Sequence, residues 1–143
     1  MSTAFSKIVA AVVQALNADP AVCDAIYRAR VRDVPDQKDE AVNVFFASAL
    51  PDSGAIHGAP IDWSTRVYVE CYSRSMSDEG DLAVDPVFKR VYERLAQDST
   101  LNGLVDDIAI AGVEAENTAE AKRTGWVRLS YNVQHRTSNL TLD

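Results

Sequence analysis

The feature that most constrains the fold is a stretch of strict alternation from Ile61 to Arg74. Successive side chains of a β-strand point to opposite faces, so this pattern predicts one long strand with an apolar face and a polar face. The apolar set is Ile61, Trp63, Thr65, Val67, Val69 and Cys71, and the polar set is Asp62, Ser64, Arg66, Tyr68, Glu70 and Tyr72.

Two other segments carry the period of a helix. Apolar residues from Phe5 to Leu16 recur at spacings of three and four, which predicts an amphipathic helix from about Thr3 to Leu16. A second stripe predicts a helix from Ser77 to about Ala96, with Pro86 causing a kink or a restart at Asp85. Asp19 and Pro20 predict a short additional helix ending at Asp24.

The remaining strands are shorter. They are predicted at Tyr27–Val31, Val42–Phe46, Ile108–Val113 and Trp126–Arg136, with loops at Asp33–Glu40, Ser48–Pro60 and Glu114–Arg123. This order predicts an α+β fold: a mostly antiparallel sheet of about five strands, with two main helices packed on one face. We expect one domain over residues 1–143, with a frayed tail at 137–143.

Composition excludes several classes of protein. The net charge is -7, from 14 Lys and Arg against 21 Asp and Glu, which argues against tight binding to a phosphate backbone. Two cysteines are too few for a disulfide framework or a four-ligand zinc site. No apolar run approaches the ~20 residues of a membrane span, and the N-terminus is a poor signal peptide.

No catalytic motif is present. The sequence has no phosphate-binding glycine loop, no His-Glu-x-x-His and no Gly-x-Ser-x-Gly. The two histidines, His57 and His135, are expected on the solvated surface, and Cys71 is expected in the core. The inward positions of the strands are almost wholly apolar, which favours a filled core over a ligand pocket. We therefore expect no enzymatic activity, no cofactor and no metal site.

Basic and aromatic residues on the strands indicate an interface. Arg28, Arg30 and Arg32 would share one strand face, and they need negative partners there. Those partners are either acids of the neighbouring strand, such as Asp62 and Glu70, or an acidic patch on another subunit. A second candidate set, Arg66, Tyr68 and Tyr72, has the composition of an intersubunit contact.

The layout as a whole resembles the tail terminator family of long-tailed bacteriophages, the minor tail protein U-like group. The resemblance covers nearly the whole chain in length and element order. The matching pieces are the helix Phe5–Leu16, the strands Ala41–Phe46 and Trp63–Tyr72, the helix start Ser77–Glu79, and the strands Ile108–Val113 and Trp126–Val133.

The resemblance implies a structural virion protein without catalytic activity. Such a protein forms a homo-hexameric ring on the tail tube, stops tube polymerisation and offers a docking surface to the head-tail connector. Its partners would be itself, the tube protein and the connector, while DNA only passes through the lumen and no membrane is involved. We would then expect it in the tail of the virion, assembled in the host cytoplasm.

The polar loops are the candidates for contacts with tube and connector. The candidate contact residues in these loops are Asp36, Lys38, Asp52, His57, Glu116 and Lys122. Three other functions stay open at this point: a neck or tail-completion protein of the same junction, a small α+β ligand-binding module or enzyme, and an acidic mimic that blocks a DNA-binding protein.

Overall fold

A computed structural model describes residues 2–29, 39–52, 58–74, 80–117 and 124–143. It contains two α-helices and a five-stranded sheet, so the prediction of an α+β fold is confirmed. The elements in chain order are α1 (Ala4–Asn17), β1 (Ile26–Arg28), β2 (Glu40–Pro51), β3 (Ile61–Arg74), α2 (Gly80–Ala96), β4 (Asp107–Asn117) and β5 (Thr124–Thr137).

The strands lie in the order β1-β2-β3-β5-β4. β1 pairs with β2 in parallel, and the other three pairs are antiparallel, as the mostly antiparallel prediction requires. β3 is the central strand, and it pairs with β2 on one side and with β5 on the other.

The register gives the sheet two distinct faces. Val42, Cys71 and Val127 lie in one row across β2, β3 and β5, and Phe45, Tyr68 and Ser130 lie in another. Directly paired residues share a face, so the first row belongs to an apolar core face and the second to the opposite face, which we call the second face.

Buried residues of both helices and of the core face form a single hydrophobic cluster. α1 supplies Ile8, Val9, Val12 and Leu16, and α2 supplies Val84, Val87, Val91 and Leu95. The strand residues predicted to point inward are all buried, namely Val67, Val69, Cys71, Val127, Leu129, Tyr131 and Val133. The period-two pattern therefore identified the core side of β3 and β5 correctly.

Two predicted elements near the N-terminus are wrong. No helix forms at Pro20–Asp24, where the chain makes bends instead. The carbonyls of Ala15, Ala18 and Pro20 accept hydrogen bonds from the Arg94 guanidinium, so this backbone is satisfied by α2 rather than by a helical turn. β1 ends at Arg28 rather than at Val31, because Ala29 has a φ of 51° and leaves the extended conformation.

Two strands continue into segments that were predicted as loops. The register of β2 shifts between Phe46 and Ser48, and that of β4 shifts between Ile110 and Gly112. A β-bulge inserts one residue and reverses the alternation beyond it, so the pattern no longer reads as one strand. Ser48–Pro51 and Glu114–Asn117 consequently belong to β2 and β4 rather than to loops.

The helix boundaries follow from local chemistry. The Thr3 hydroxyl accepts a hydrogen bond from the Ser6 amide at 3.2 Å and caps α1, which begins at Ala4, close to the predicted start. α2 runs through Pro86 without a break, so a separate start at Asp85 does not occur. Ser77, the predicted cap of α2, lies outside the described residues.

The C-terminal residues meet the start of α1. The Ala4 amide donates to the Leu142 carbonyl at 2.6 Å. The fraying of residues 137–143 stays a prediction.

Neither of the described helices has the length and apolar character needed to cross a membrane.

Removing the Tyr131 hydroxyl should stabilise the protein. This hydroxyl is buried and has no hydrogen-bond partner among the described residues, and its burial raises the pKa of Tyr131. An unpartnered buried hydroxyl costs free energy, so Tyr131→Phe should raise the free energy of unfolding by about 1 kcal/mol in urea titrations. Tyr72→Phe is the control, because the Tyr72 hydroxyl donates to Glu70 at 3.0 Å and its loss should destabilise. An equal loss of stability in both variants would contradict this account.

Candidate functional site

An ion pair lies at the centre of the second face. Glu70 on β3 is paired with Arg128 on β5. The Arg128 Nε and Nη2 atoms donate to Glu70 Oε2 at 3.0 and 2.8 Å, and the Tyr72 hydroxyl donates to Glu70 Oε1. The Glu70 side chain is only 9% exposed, although it lies on the polar side of the alternation. A carboxylate this deeply buried needs its cation and its hydrogen bonds.

Aromatic rings enclose the cation. The guanidinium carbon of Arg128 lies 4.6 Å from the ring centroid of Tyr68 and 4.9 Å from that of Trp126. Phe45 on β2 packs edge-on against Tyr68, with centroids 5.5 Å apart. We call Phe45, Tyr68, Tyr72, Trp126 and Arg128 the aromatic patch. Cation–π contacts and the ion pair together hold Arg128 in one position.

Charge in the aromatic patch is balanced within the chain. Arg128 also lies 3.7 Å from Glu114 of β4. Desolvation acts to lower the pKa of Arg128, but the hydrogen bonds and charge of Glu70 outweigh it and raise that pKa. Burial, followed by the charge of Glu70, raises the pKa of Tyr72 to about 12, so its hydroxyl remains a neutral donor. The result is a surface of aromatic rings around a paired charge, a composition typical of protein interfaces.

The structure brings together only part of the predicted interface. Arg66, Tyr68 and Tyr72 share the second face, as their alternation on β3 requires. Among the described residues, the buried Nε of Arg66 has no hydrogen-bond partner. Arg28 instead aligns with Val44 on the core side, and it donates to the Ser6 carbonyl and hydroxyl at 3.0 and 2.6 Å.

The expected partners of the β1 arginines are engaged elsewhere. Asp62 and Glu70 pair with Arg136 and Arg128 of β5. β2 lies between β1 and β3, so acids on β3 are not next to Arg28. Arg30 and Arg32 lie outside the described residues, as do Asp36, Lys38, His57 and Lys122 of the predicted loops.

Two of the residues predicted to contact partners from loops lie in the described part of the chain. Asp52 follows β2, and its amide donates to the Asp62 carbonyl at 2.8 Å. Glu116 lies in β4, where it pairs with Trp126 of β5.

Phe45, Trp126 and Arg128 are the patch residues that sequence reasoning missed. The alternation of Trp126 and Arg128 with Val127 and Leu129 already placed these two outward on the last strand. Only the register of β5 against β3 shows that they meet Tyr72 and Glu70.

A second candidate location is a groove of about 500 Å³ near the start of β3 and the end of β5. Asp52, Asp62, Asp106, His135 and Arg136 lie along it. Arg136 forms a two-point contact with Asp62, at 2.7 and 3.2 Å, which neutralises one of these acids. Within the described part of the chain, no group of three or more His, Cys, Asp and Glu residues is placed to hold a metal ion.

His135 is buried, so the prediction that it lies on the solvated surface is wrong. It is 4% exposed, its Nε2 lies 2.6 Å from the Thr65 hydroxyl, and its ring contacts Phe5 edge-on at 5.3 Å between centroids. His135 lies an even number of residues after the buried Val127 and Val133. The alternation along the last strand therefore already indicated that it points inward. Its Nδ1 has no partner in the described ranges, so we assign the proton to Nε2, which leaves only an acceptor unpaired.

Comparisons with known proteins identify the fold. No protein-family model matches the chain, and no curated protein matches it either. A solved structure does: a chain in the structure entitled "Virion of native gene transfer agent (GTA) particle" has a TM-score of 0.51 and 14% identity. The match covers 91% of this chain and 95% of that one. This chain therefore shares its fold with a chain of that particle over nearly the full length of both.

Acidification should destabilise the protein through His135. Burial lowers its pKa below the ordinary 6.5, against a smaller raising effect of Asp106. The unfolded chain then takes up a proton near pH 6.5 before the folded chain does, so stability falls as the pH drops below that value. His135→Gln should reduce the stability difference between pH 7 and pH 5 in urea titrations.

The carboxylates whose pKa values are lowered do not interfere between pH 7 and pH 5. The pKa values of Asp62 and Asp98 are lowered from 3.8, by hydrogen bonds to Arg136 and to backbone amides respectively, so their effects fall below pH 5. An unchanged pH 7-to-5 difference in His135→Gln would show that this histidine is not the responsible group.

Glu70 and Arg128 should be strongly coupled. A double-mutant cycle with Glu70→Gln and Arg128→Met should give a coupling energy of about 1–2 kcal/mol, because the carboxylate is nearly buried. Asp62 and Arg136 form the matched pair on the same two strands, but their side chains are 48% and 63% exposed. Solvent screening should make their coupling smaller. Equal couplings would mean that burial does not strengthen the central pair.

Proposed function

We propose that this chain is a structural protein of a phage-like virion, and specifically a tail terminator. Identical copies form a hexameric ring at the end of the tail tube, stop its polymerisation and offer a docking surface to the head-tail connector. The observation that carries this proposal is the shared fold with a chain of a gene transfer agent virion, over 91% and 95% of the two chains. The resemblance of the element order to the tail terminator group supports the finer assignment.

The aromatic patch supports a role in protein contact. We propose that both helices pack on the core face, which leaves the second face open to another protein. Rings around a paired arginine resemble the residues that carry binding energy at protein interfaces. Arg66 lies on the same face and adds a positive charge to it. The function requires contact and no turnover.

The overall charge suits a passage for DNA. The net charge of -7 disfavours phosphate contacts, and a duplex would therefore slide past the ring without being held. The tube protein and the connector are the proposed partners, and the tail of the virion is the proposed location.

Imaging of tail tubes tests the assignment. We expect the purified chain to cap the free ends of tubes from the particle that carries it, and tubes assembled in its presence to have one uniform length. A neck or tail-completion protein would bind only tubes that are already capped. Absence of the chain from tube ends, with no effect on tube length, would contradict the proposal.

A variant in and beside the aromatic patch tests whether this surface takes part in the proposed function. Tyr68→Ser in the patch, combined with Arg66→Glu next to it on the second face, should keep the chain folded and reduce the fraction of tubes that join heads by tenfold or more. Tyr92→Ser is the matched control, because Tyr92 is 43% exposed on α2 and lies outside the patch. Joining that is reduced equally by both variants would exclude a specific role for the patch.

A ligand-binding module remains the second candidate. The groove beside His135 favours it, since a paired Asp62 and Arg136 and a buried histidine line an opening of about 500 Å³. Arg136→Gln separates the two functions: it should change ligand binding if the groove is a site, and it should leave the capping of tubes intact.

A further inference from the structure

The outer edge of β4 has no strand partner in the described part of the chain. β4 is the last strand of the sheet, and all its pairing is with β5. It has 11 residues and contains no Lys, Arg or Pro, the residues that usually protect such an edge from pairing with another chain. Ile110 and Val113 on this strand are 36% and 49% exposed.

The opposite edge of the sheet is also incomplete. β1 pairs only with Val42, Asn43 and Val44 of the much longer β2. Because Ala29 turns out of the extended conformation, β2 has no strand partner on this side from Phe46 to Pro51 among the described residues. Phe46 is 45% exposed here, and a groove of about 390 Å³ opens beside it.

The two edges differ in charge. β4 carries Asp107 and Glu114, with no positive residue along its length. The other edge has the exposed Arg28 of β1 at one end, and Asp52 follows β2 at the other. The acids of β4 therefore oppose contact between two β4 edges and are attracted to Arg28.

The two edges run in directions that allow antiparallel pairing, and the register shows which of their residues lie in the same row of the sheet. β2, β3, β5 and β4 are successively antiparallel, so β4 runs antiparallel to β2. Phe46, Val67, Tyr131 and Ile110 lie in one row across the sheet. A second copy in the same orientation would bring its Phe46 beside Ile110 of the first and continue the antiparallel alternation along Asp107–Ile110. Beyond Ile110 the pairing ends, because β1 occupies the β2 edge at Val42–Val44.

We propose that the first half of β4, Asp107–Ile110, adds to the Phe46–Pro51 edge of the next copy, so that the sheet continues from subunit to subunit. This inference rests on the proposed ring and names the surfaces that build it. The contact is heterologous, because two different patches of each copy meet, and such contacts close into a ring when the rotation between copies allows it. Backbone hydrogen bonds connect the two strands, and the exposed apolar residues and opposite charges determine which edges pair.

Cysteine cross-linking tests the junction. Ser48 and Ala109 are exposed, small residues in one row of the second face, and both are replaced in the variant Ser48→Cys with Ala109→Cys. Within one copy they lie three strand spacings apart, about 14 Å, which is too far for a disulfide. Any bridge between them is therefore intermolecular. The native Cys23 and Cys71 are buried and provide little background.

Oxidation of the double variant should give a ladder of covalent species that ends at the hexamer. An equimolar mixture of the two single variants should stop at the dimer, since each chain then carries one of the two partners. Leu50→Cys with Ala109→Cys covers a junction staggered by two residues on the same face. Leu104→Cys with Ser48→Cys is the negative control, because Leu104 is 43% exposed and lies in the turn before β4.

The outcomes separate the junction from the function. Rings on tube ends without a ladder in either double variant would overturn the edge junction and leave the terminator proposal standing. A ladder from a chain that never caps tubes would support the junction and overturn the terminator proposal. Neither rings nor a ladder would overturn both.

Discussion

Pairing of β3 on both sides is the constraint on which the rest of the structure depends. All 14 of its residues pair with β5 along one edge, and Trp63–Ser73 pair with β2 along the other. A shift of one residue would exchange its two faces, and it would place Glu70 in the core and Val69 in solvent. The apolar rows through Val67, Val69 and Cys71 oppose that shift, and so does the buried pair of Glu70 with Arg128. The core and the aromatic patch therefore both depend on the register of the same strand.

Contacts between its own side chains order the second face. Glu70 is nearly buried because Tyr72 and Arg128 bond to it, while Tyr68 and Trp126 lie against Arg128. These contacts cross from β3 to β5 and fix the rings before any partner arrives. A surface ordered in advance loses less conformational entropy on binding, which favours a protein that acts by docking.

The sequence predicted what depends on local periodicity. The alternation from Ile61 to Arg74 gave the bounds of β3 and its core side, and the apolar stripe with Thr3 gave α1. The bulges near Ala47 and Ala111 hid the second halves of β2 and β4, because an inserted residue reverses the alternation. Arg28 was expected to share a surface with the basic residues after it, but the register of β1 turns it toward Ser6. Cross-strand partners such as Glu70 and Arg128 needed the strand order, which no single segment contains.

Hydrogen exchange on the assembled protein tests the central claim most directly, namely that the chain functions through contacts with its neighbours. The amides of β4 and of the aromatic patch should exchange more slowly in the chain bound to tail tubes than in the free chain. The exposed turn at Asn102 and Gly103 should exchange equally in both states. Identical exchange at β4 and at the patch in the two states would contradict the account.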